Sequence, residues 1–186
     1  MCPWTSRPQL KRGPLDSGDS SFLPATDLGY ILIPDATIGR HFGHHPQFAA
    51  RHPDRDWRFR KVRVPLSELQ CLYSDPGVQP NNPAGLMGGV GKPPSGYADV
   101  TISELAQTIG EALVAGAADL ANPAIQRTVA FRDGGPTLIY SVSEPLAVSC
   151  INGKWFVREG THRAVALALI GADAVDAIDF ESAELT

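Results

Sequence analysis

The chain has few cysteines, no long apolar run and no excess of basic residues, and each absence excludes a class of protein. Its three cysteines are far apart and form no Cys-x-x-Cys pair, which argues against a disulfide framework and against a thiolate zinc site. No segment approaches the roughly eighteen apolar residues of a membrane span, and the N-terminus lacks the apolar core of a signal peptide. We therefore expect a cytoplasmic protein that does not contact a membrane.

The charge balance is acidic, with 20 Asp and Glu against 16 Lys and Arg and a formal net charge of −4. Proteins that bind a nucleic-acid backbone usually show a basic excess or a basic stripe, so extended nucleic acid is not the favoured partner. Basic residues are concentrated only between Arg51 and Arg63. We interpret this stretch as the exposed flank of a strand, with an anion-binding face as the alternative.

The first third of the chain differs in composition from the rest. Residues 1–28 are rich in Pro, Ser, Gly and Asp and show little periodicity, Tyr30–Ile33 predicts a short strand, and the polar stretch 35–57 predicts a loop. We therefore divide the chain into an N-terminal arm and loop extension, residues 1–57, and a folded domain, residues 58–186. The total of 186 residues suits one domain with a substantial core.

Four of the five histidines lie in the predicted loop, at positions 41, 44, 45 and 52. Neutral imidazoles are ligands of zinc and iron, but this spacing matches no known zinc finger. We favour solvent-exposed loop histidines, with a metal site as the alternative.

The folded domain mixes helices and strands. Thr101-x-x-Glu104 is a capping box followed by apolar residues at helical spacing, which predicts a helix that ends near Pro123. Asn152-Gly153 is a hairpin signal that predicts antiparallel pairing of residues 147–151 with residues 154–158. Strands are also predicted over residues 59–64, 137–142 and 174–178, a turn of helix over 66–69, and a last helix over 161–170.

Residues 74–96 contain five prolines and predict one long irregular loop, which acts as a functional lid or is disordered. The glycine-rich stretch from Gly85 to Lys92 is similar to a phosphate-binding P-loop. However, Leu86 and Pro93 stand where that motif requires glycine and a hydroxyl residue. We favour a flexible lid whose Lys92 can reach a phosphate.

The last helix is the centre of the predicted chemistry. After His162 and Arg163 it is apolar on all sides and is therefore predicted to be buried, yet no Glu or Gln stands where it could cap the first turn. Gly160 allows a close backbone approach, and an open helix N-terminus beside an arginine favours phosphate. The alternative is that His162 and Arg163 only cap this buried helix and form salt bridges.

The segment from Trp155 to Ala172 resembles the signature of the ParB/sulfiredoxin-like superfamily. Members of the Gly-x-His-Arg type show a strand, then Gly-x-His-Arg, then an Ala-rich helix that ends in Leu-Gly; here the motif is Gly160-Thr161-His162-Arg163. Three other segments are similar to family elements in the same order. They are the opening strand and turn at residues 62–69, the helix at 102–113, and the Pro-Ile-x-Val strand at 144–148.

The resemblance implies a small α+β fold, a mixed sheet with packed helices, that binds a nucleotide with its phosphates at the turn Gly160–Arg163. Family activities include sulfinic acid reduction, CTP hydrolysis in chromosome partition, phosphorylation of free serine and nuclease action. Thr161 stands where sulfiredoxins have their catalytic cysteine, and Gln79-Pro80-Asn81 replaces the Gln-Pro-Arg of partition proteins. Both departures argue against those two activities.

The remaining prediction is a nucleotide-binding enzyme that transfers or hydrolyses the terminal phosphate of ATP or another nucleoside triphosphate with Mg²⁺. A small hydroxylated molecule is the expected acceptor, as in a small-molecule kinase. The alternatives are a DNA-related ParB-like protein, either a nuclease or a binder, and a non-catalytic partner-binding module. The base, the acceptor and the oligomeric state are left open.

Phosphoryl transfer requires a positioned acceptor, a magnesium ion and neutralised charge. A carboxylate must orient or deprotonate the acceptor hydroxyl, and His162 contacts a phosphate, assists proton transfer or serves only as a structural hydrogen-bonder. Glu68 has a structural alternative as a turn cap, and Glu159 as a partner of Arg158. The predicted catalytic residues are Glu68, Asp75, Glu159 and His162, and the predicted nucleotide-binding residues are Gly160, Thr161, His162, Arg163 and Lys92.

Overall fold

A computed structural model describes residues 26–71, 100–134 and 144–186. Within these ranges the protein is α+β, with six strands in one mixed sheet and four helices. The strands are β1 (Thr26–Pro34), β2 (Asp56–Pro65), β3 (Leu69–Gln70), β4 (Ala147–Ile151), β5 (Lys154–Glu159) and β6 (Ala174–Leu185). The helices are α1 (Asp35–Phe42), α2 (Ile102–Val114), α3 (Pro123–Asp133) and α4 (Thr161–Leu169), with a short 3-10 helix at Pro46–Phe48.

The sheet has the strand order β1-β2-β6-β4-β5-β3. Neighbours are antiparallel except for β4 with β6 and β3 with β5, which are parallel. The predicted hairpin between β4 and β5 is confirmed. Its turn residues Asn152 and Gly153 have φ values of 48° and 85°, as a two-residue hairpin turn that follows the twist of the strands requires.

The sheet carries an apolar cluster on each face. Successive residues of a strand point to opposite faces, and so Ala147 and Val148 of β4 belong to different clusters. The larger cluster packs the sheet against α2 and α4, which contribute Ile109 and Val165 among others. The second cluster lies under α1 and the 3-10 helix; its buried members are Ile33, Ile38, Phe42, Phe48, Trp57, Phe59, Ala147, Ile178 and Phe180.

The helix predictions for the folded domain are confirmed only in part. The capping box at Thr101 and the burial of α4 are confirmed. The prediction that one helix reaches Pro123 is wrong, because α2 ends at Val114 and Gly116 then takes a left-handed φ of 66°. A separate helix, α3, starts at Pro123 with the Asn122 side chain as its cap.

The prediction of a loop over residues 35–57 is wrong for residues 35–42, 46–48 and 56–57, which form α1, the 3-10 helix and the start of β2. Asp35 is buried at the start of α1, and its carboxylate accepts hydrogen bonds from Trp57 Nε1, Arg51 Nε and the His52 backbone N–H, each at 3.0 Å. Apolar residues of α1 and the 3-10 helix fill the second cluster. The strand predicted at Tyr30–Ile33 extends over Thr26–Pro34 and pairs with β2.

The basic stretch in β2 is only partly an exposed flank. Arg60 is buried and forms an ion pair with the buried Asp179 of β6, and burial raises the pKa of Asp179 to about 6 although Arg60 opposes the shift. Arg58 and Arg63 form exposed or half-exposed pairs with acidic residues of β6. The basic side chains of this strand therefore have partners within the protein.

The structure also differs from the predictions for residues 66–69 and for the cysteines. Residues 66–68 form a hydrogen-bonded turn, as the prediction of at most a turn of helix over 66–69 allows, but Leu69 already belongs to β3 beside β5. Cys71 is a buried free thiol, whereas Cys150 is disulfide-bonded, contrary to the argument from cysteine spacing.

The predicted strand 137–142 and loop 74–96 lie outside the described residues. In the described ranges no helix has the length and apolar character needed to cross a membrane.

Candidate functional site

Gly160 alone connects the end of β5 to the start of α4. Its φ of 97° is left-handed, a conformation that glycine adopts without a steric penalty. A Cβ atom added here would lie 3.0 Å from Leu146 Cγ and 3.1 Å from Arg163 Nη2. The backbone conformation therefore favours glycine at this turn, and a Cβ atom would also require Leu146 or Arg163 to shift.

No side chain caps the first turn of α4. By contrast, Thr101 and Glu104 cap α2, and the Asn122 side chain accepts hydrogen bonds from two backbone N–H groups of α3. A helix N-terminus carries unsatisfied N–H groups and a partial positive charge. The start of α4 therefore presents hydrogen-bond donors to an anion.

Thr161, the first residue of α4, is 3% exposed. Its Oγ1 is buried and has no hydrogen-bond partner in the part of the chain that the structure describes. A buried polar group without a partner costs about 1–3 kcal/mol. The turn thus combines a helix start without a side-chain cap and a buried hydroxyl without a partner among the described residues.

Arg163 connects α4 to the segment that enters β4. Its Nη1 donates to the Glu144 carbonyl at 2.6 Å and its Nη2 donates to the Pro145 carbonyl at 3.2 Å. Burial lowers the pKa of Arg163, while the charges of Glu144 and Glu159 raise it. The salt bridge considered for this residue does not form with any described carboxylate. Arginine has five N–H donors, so three remain for a ligand.

His162 faces α3. Burial lowers its pKa, and the positive charge of Arg127 in α3 lowers it further. Arg127 is exposed and forms no ion pair within the described ranges. Successive helix residues project about 100° apart, so His162 and Arg163 lie on different sides of the helix start. Arg127 and Arg163 therefore place positive charge on two sides of this turn.

Arg127 is the residue of the candidate site that the sequence did not indicate. It belongs to α3, which packs against α4, and that segment was expected to lie beyond the end of a helix. No motif surrounds it, and only the packing of α3 on α4 brings it to His162.

Glu159 lies at the turn as predicted. It is the last residue of β5, directly before Gly160, and its charge acts on Arg163. Arg158, the partner considered for it in the structural alternative, forms an ion pair with Glu181, with 3.3 Å between Arg158 Nη2 and Glu181 Oε1.

Glu68 does not lie at the turn. It comes directly before β3, whose Leu69 pairs with Trp155 near the beginning of β5, whereas Gly160 follows the end of β5. At about 3.3 Å per residue, the two ends of β5 are roughly 20 Å apart. Glu68 Oε2 is nevertheless buried, with no hydrogen-bond partner among residues 26–71, 100–134 and 144–186. Asp75 and Lys92, the other predicted site residues, lie outside the described residues.

The four clustered histidines do not form a common site. His45 is buried, which corrects its expected exposure, and its ring lies 4.2 Å from that of His44. His52 instead contacts Trp57, with 6.2 Å between the ring centroids. Among the described residues no group of three or more His, Cys, Asp or Glu side chains is arranged to hold a metal ion.

Comparison with known proteins gives no match to a protein-family model, to a curated protein or to a solved structure. Function is therefore inferred from the geometry of the α4 turn and from the resemblance that its four residues carry.

Proposed function

We propose that the turn Gly160–Arg163 binds the phosphates of a nucleoside triphosphate, ATP or another. In this proposal the protein is a ParB/sulfiredoxin-like enzyme that transfers the terminal phosphate to a small hydroxylated molecule or hydrolyses it. The observation that carries the proposal is the start of α4. An uncapped helix end follows a left-handed glycine, and an orphaned Thr161 hydroxyl and a guanidinium lie beside it.

The turn supplies the charge neutralisation that phosphoryl transfer needs. The helix N–H groups and the remaining donors of Arg163 suit phosphate oxygens. A lowered pKa keeps His162 neutral at pH 7, so its imidazole can donate one hydrogen bond or accept a proton. Arg127 adds a second guanidinium on the α3 side. We assign the nucleotide contacts to these groups.

Two carboxylates at the turn fit the proposed Mg²⁺. This ion binds through one or two carboxylates together with phosphate oxygens, and both Glu144 and Glu159 lie close enough to act on Arg163 by charge. When bound, Mg²⁺ would neutralise phosphate charge and orient the phosphates. Glu159 is also the carboxylate placed to orient or deprotonate the acceptor hydroxyl, a role that the position of Glu68 does not favour.

The alternative functions have unequal support. The ion pairs of β2 use the basic side chains that nucleic acid would need, which argues against the DNA-related alternative. A partner-binding module has one favourable observation. Tyr30 and Leu32 alternate along β1 and are 40% and 51% exposed, and Leu28, at the irregularity between Asp27 and Gly29, is 38% exposed.

A thermal-shift screen of ATP, ADP, CTP and GTP with Mg²⁺ tests the proposal. A ligand at a hundred times its dissociation constant should stabilise the protein by about 2.7 kcal/mol. The Arg163→Ala variant should lose this shift, whereas Arg132→Ala, on the outer part of α3 and paired with Asp133, should keep it. If no nucleotide raises the melting temperature of the wild type, the proposal is wrong.

A further inference from the structure

The segment from His44 to Phe48 lies against Phe180 of β6 on the second face of the sheet. The His45 and Phe48 rings meet the Phe180 ring edge to face, with centroid distances of 4.8 Å and 5.1 Å. Gln47 Nε2 donates to the Phe180 carbonyl at 3.5 Å. Phe180 therefore contacts three of the five residues of this segment. We call residues 44–48 the His44–Phe48 latch.

The surroundings of His45 are positively charged. His45 is 7% exposed, and its ring lies 4.2 Å from that of His44. On β5, the Arg158 side chain is 8% exposed, and its guanidinium carbon lies 5.2 Å from the Phe180 ring centroid. The titratable groups near the end of α1, Arg40 and His41, are basic as well.

The carboxylate that pairs with Arg158 has a second partner. Glu181 of β6 accepts hydrogen bonds from Arg158 Nη2 at 3.3 Å and from Ser149 Oγ at 3.0 Å. Its side chain is 42% exposed, so water screens its charge. Asp179 also belongs to β6, but it pairs with Arg60. No described carboxylate hydrogen-bonds to His45.

We propose that the His44–Phe48 latch is an acid-sensitive device, which opens from the sheet when His45 takes up a proton. A protonated imidazole would be a buried cation beside Arg158 and His44, without a carboxylate partner. Opening moves the imidazole into water and separates it from Arg158. It also uncovers the apolar surface of Phe42 and Phe180.

The direction of the pH dependence follows from the two states of His45. Burial, His44 and Arg158 lower its pKa from 6.5 to about 4 in the closed state, whereas an exposed imidazole titrates near 6.5. The open state therefore binds the proton first. The closed latch is fully stable above pH 6.5 and loses stability as the pH falls towards 4. At pH 5 the opening equilibrium should be about 30-fold more favourable than at pH 8.

The chain on both sides of the latch is held independently. Before it lies α1, and after it Arg51 and the His52 backbone bind the Asp35 carboxylate. Burial raises the pKa of Asp35, but hydrogen bonds from Trp57, His52 and Arg51 bring it below its usual value. Asp35 therefore stays ionised at pH 5, and this anchor remains closed while the latch opens.

Amide hydrogen exchange tests the proposal. The N–H groups of His45, Phe48 and Ala49 donate within this region, to the carbonyls of Phe42, His45 and Pro46. After correction for the intrinsic rate, their protection factors should fall about 30-fold from pH 8 to pH 5. Protection of Ile109 in α2 should stay constant, and the His45→Gln variant should show less than a 3-fold fall. An unchanged wild type, an equal fall in the variant, or a parallel loss at Ile109 would overturn the proposal.

A second measurement does not depend on the folding of the variant. The imidazole protons of His45 in the wild-type protein should titrate by NMR near pH 4. Titration near 6.5 would show that His45 is protonated as readily as an imidazole in water, and the latch would then have no acid trigger.

Discussion

The N-termini of α2 and α4 differ in whether side chains of the protein cap their first backbone N–H groups. In α2, the Glu104 N–H donates to Thr101 Oγ1 at 3.2 Å, and the Thr101 N–H donates to Glu104 Oε2 at 2.8 Å. In α4, Gly160 offers no side chain, and Thr161 has a buried hydroxyl without a partner. The first helix start is complete within the chain. The second has no side-chain cap among the described residues, and in our proposal its donors bind phosphate.

The charges at the two helix starts differ in the same way. Glu104 places a carboxylate at the positive end of the α2 dipole, and its hydrogen bonds with Thr101 lower its pKa. At α4, Arg163 lies within the first turn and Arg127 acts on His162 from outside. Cations near a helix N-terminus are unfavourable by roughly 0.3–1 kcal/mol each. A bound anion would turn this cost into a gain, because the cations would then pair with the anion. We expect this change at a ligand site and not at a helix start that is only structural.

The largest effect is expected from Gly160→Ala. The left-handed φ of 97° and the 3.0 Å approach to Leu146 Cγ should together reduce the free energy of unfolding by about 3 kcal/mol. The variant should also lose the nucleotide-induced thermal shift. Denaturant unfolding and the thermal-shift assay measure the two effects.

Gly171→Ala is the matched control for this variant. Gly171 ends α4 with a φ of 89°, but a Cβ there would meet nothing within 4 Å. We expect a loss of about 1–2 kcal/mol, with the nucleotide response unchanged. Equal losses of stability and of nucleotide response in both variants would mean that the Gly160 turn has no special relation to a ligand.

The next effect is expected from Arg163→Ala. Removal of a charge-assisted hydrogen bond should weaken binding of ATP or pyrophosphate by roughly 10- to 100-fold, as measured by calorimetry. Because Arg163 also holds the carbonyls of Glu144 and Pro145, the variant without ligand should melt earlier as well. Arg163→Lys keeps the charge and should bind with intermediate affinity. If Arg163→Ala binds the ligand as tightly as the wild type, the guanidinium only holds the segment before β4 in place and does not bind the ligand.

Thr101→Ala should have a smaller effect, on stability alone. Loss of the cap should reduce the free energy of unfolding by about 1 kcal/mol, which lowers the melting temperature by about 2–4 °C in a protein of this size. The nucleotide-induced shift should be the same as in the wild type. A reduced nucleotide response would contradict the assignment of a purely structural role to the start of α2.

The features that the sequence predicted are those encoded within a few residues. The capping box Thr101–Glu104 and the turn Asn152-Gly153 are local, and the structure contains both. Helix α1 was not predicted because its start lacks a capping side chain and it offers only one pair of large apolar residues at helical spacing, Ile38 and Phe42. Its stability comes from contacts with the second apolar cluster, which local periodicity does not report.

The features that the sequence did not predict depend on pairs of residues that are far apart in the chain. Arg60 looked like part of an exposed basic flank, but its partner Asp179 is 119 residues away in sequence. In the candidate site, the motif indicated Gly160 and Arg163, and the carboxylate next to it, Glu159, followed from its position. The resemblance placed Glu68 among the catalytic residues, but the register of β3 against β5 places it near the far end of β5. Such placement depends on tertiary pairing.

The smallest effect, from Arg127→Ala, tests whether the site extends beyond the motif. Removal of this charge should raise the pKa of His162, because Arg127 lowers it in the wild type, and NMR titration of the imidazole measures this change. If Arg127 also contacts phosphate, affinity for pyrophosphate should fall by about 3- to 10-fold, while affinity for inorganic phosphate should change less. A changed imidazole titration with unchanged affinities would limit the ligand to the Arg163 side of the turn. The resulting site would suit one phosphate, and the proposal of a triphosphate would lose its second cation.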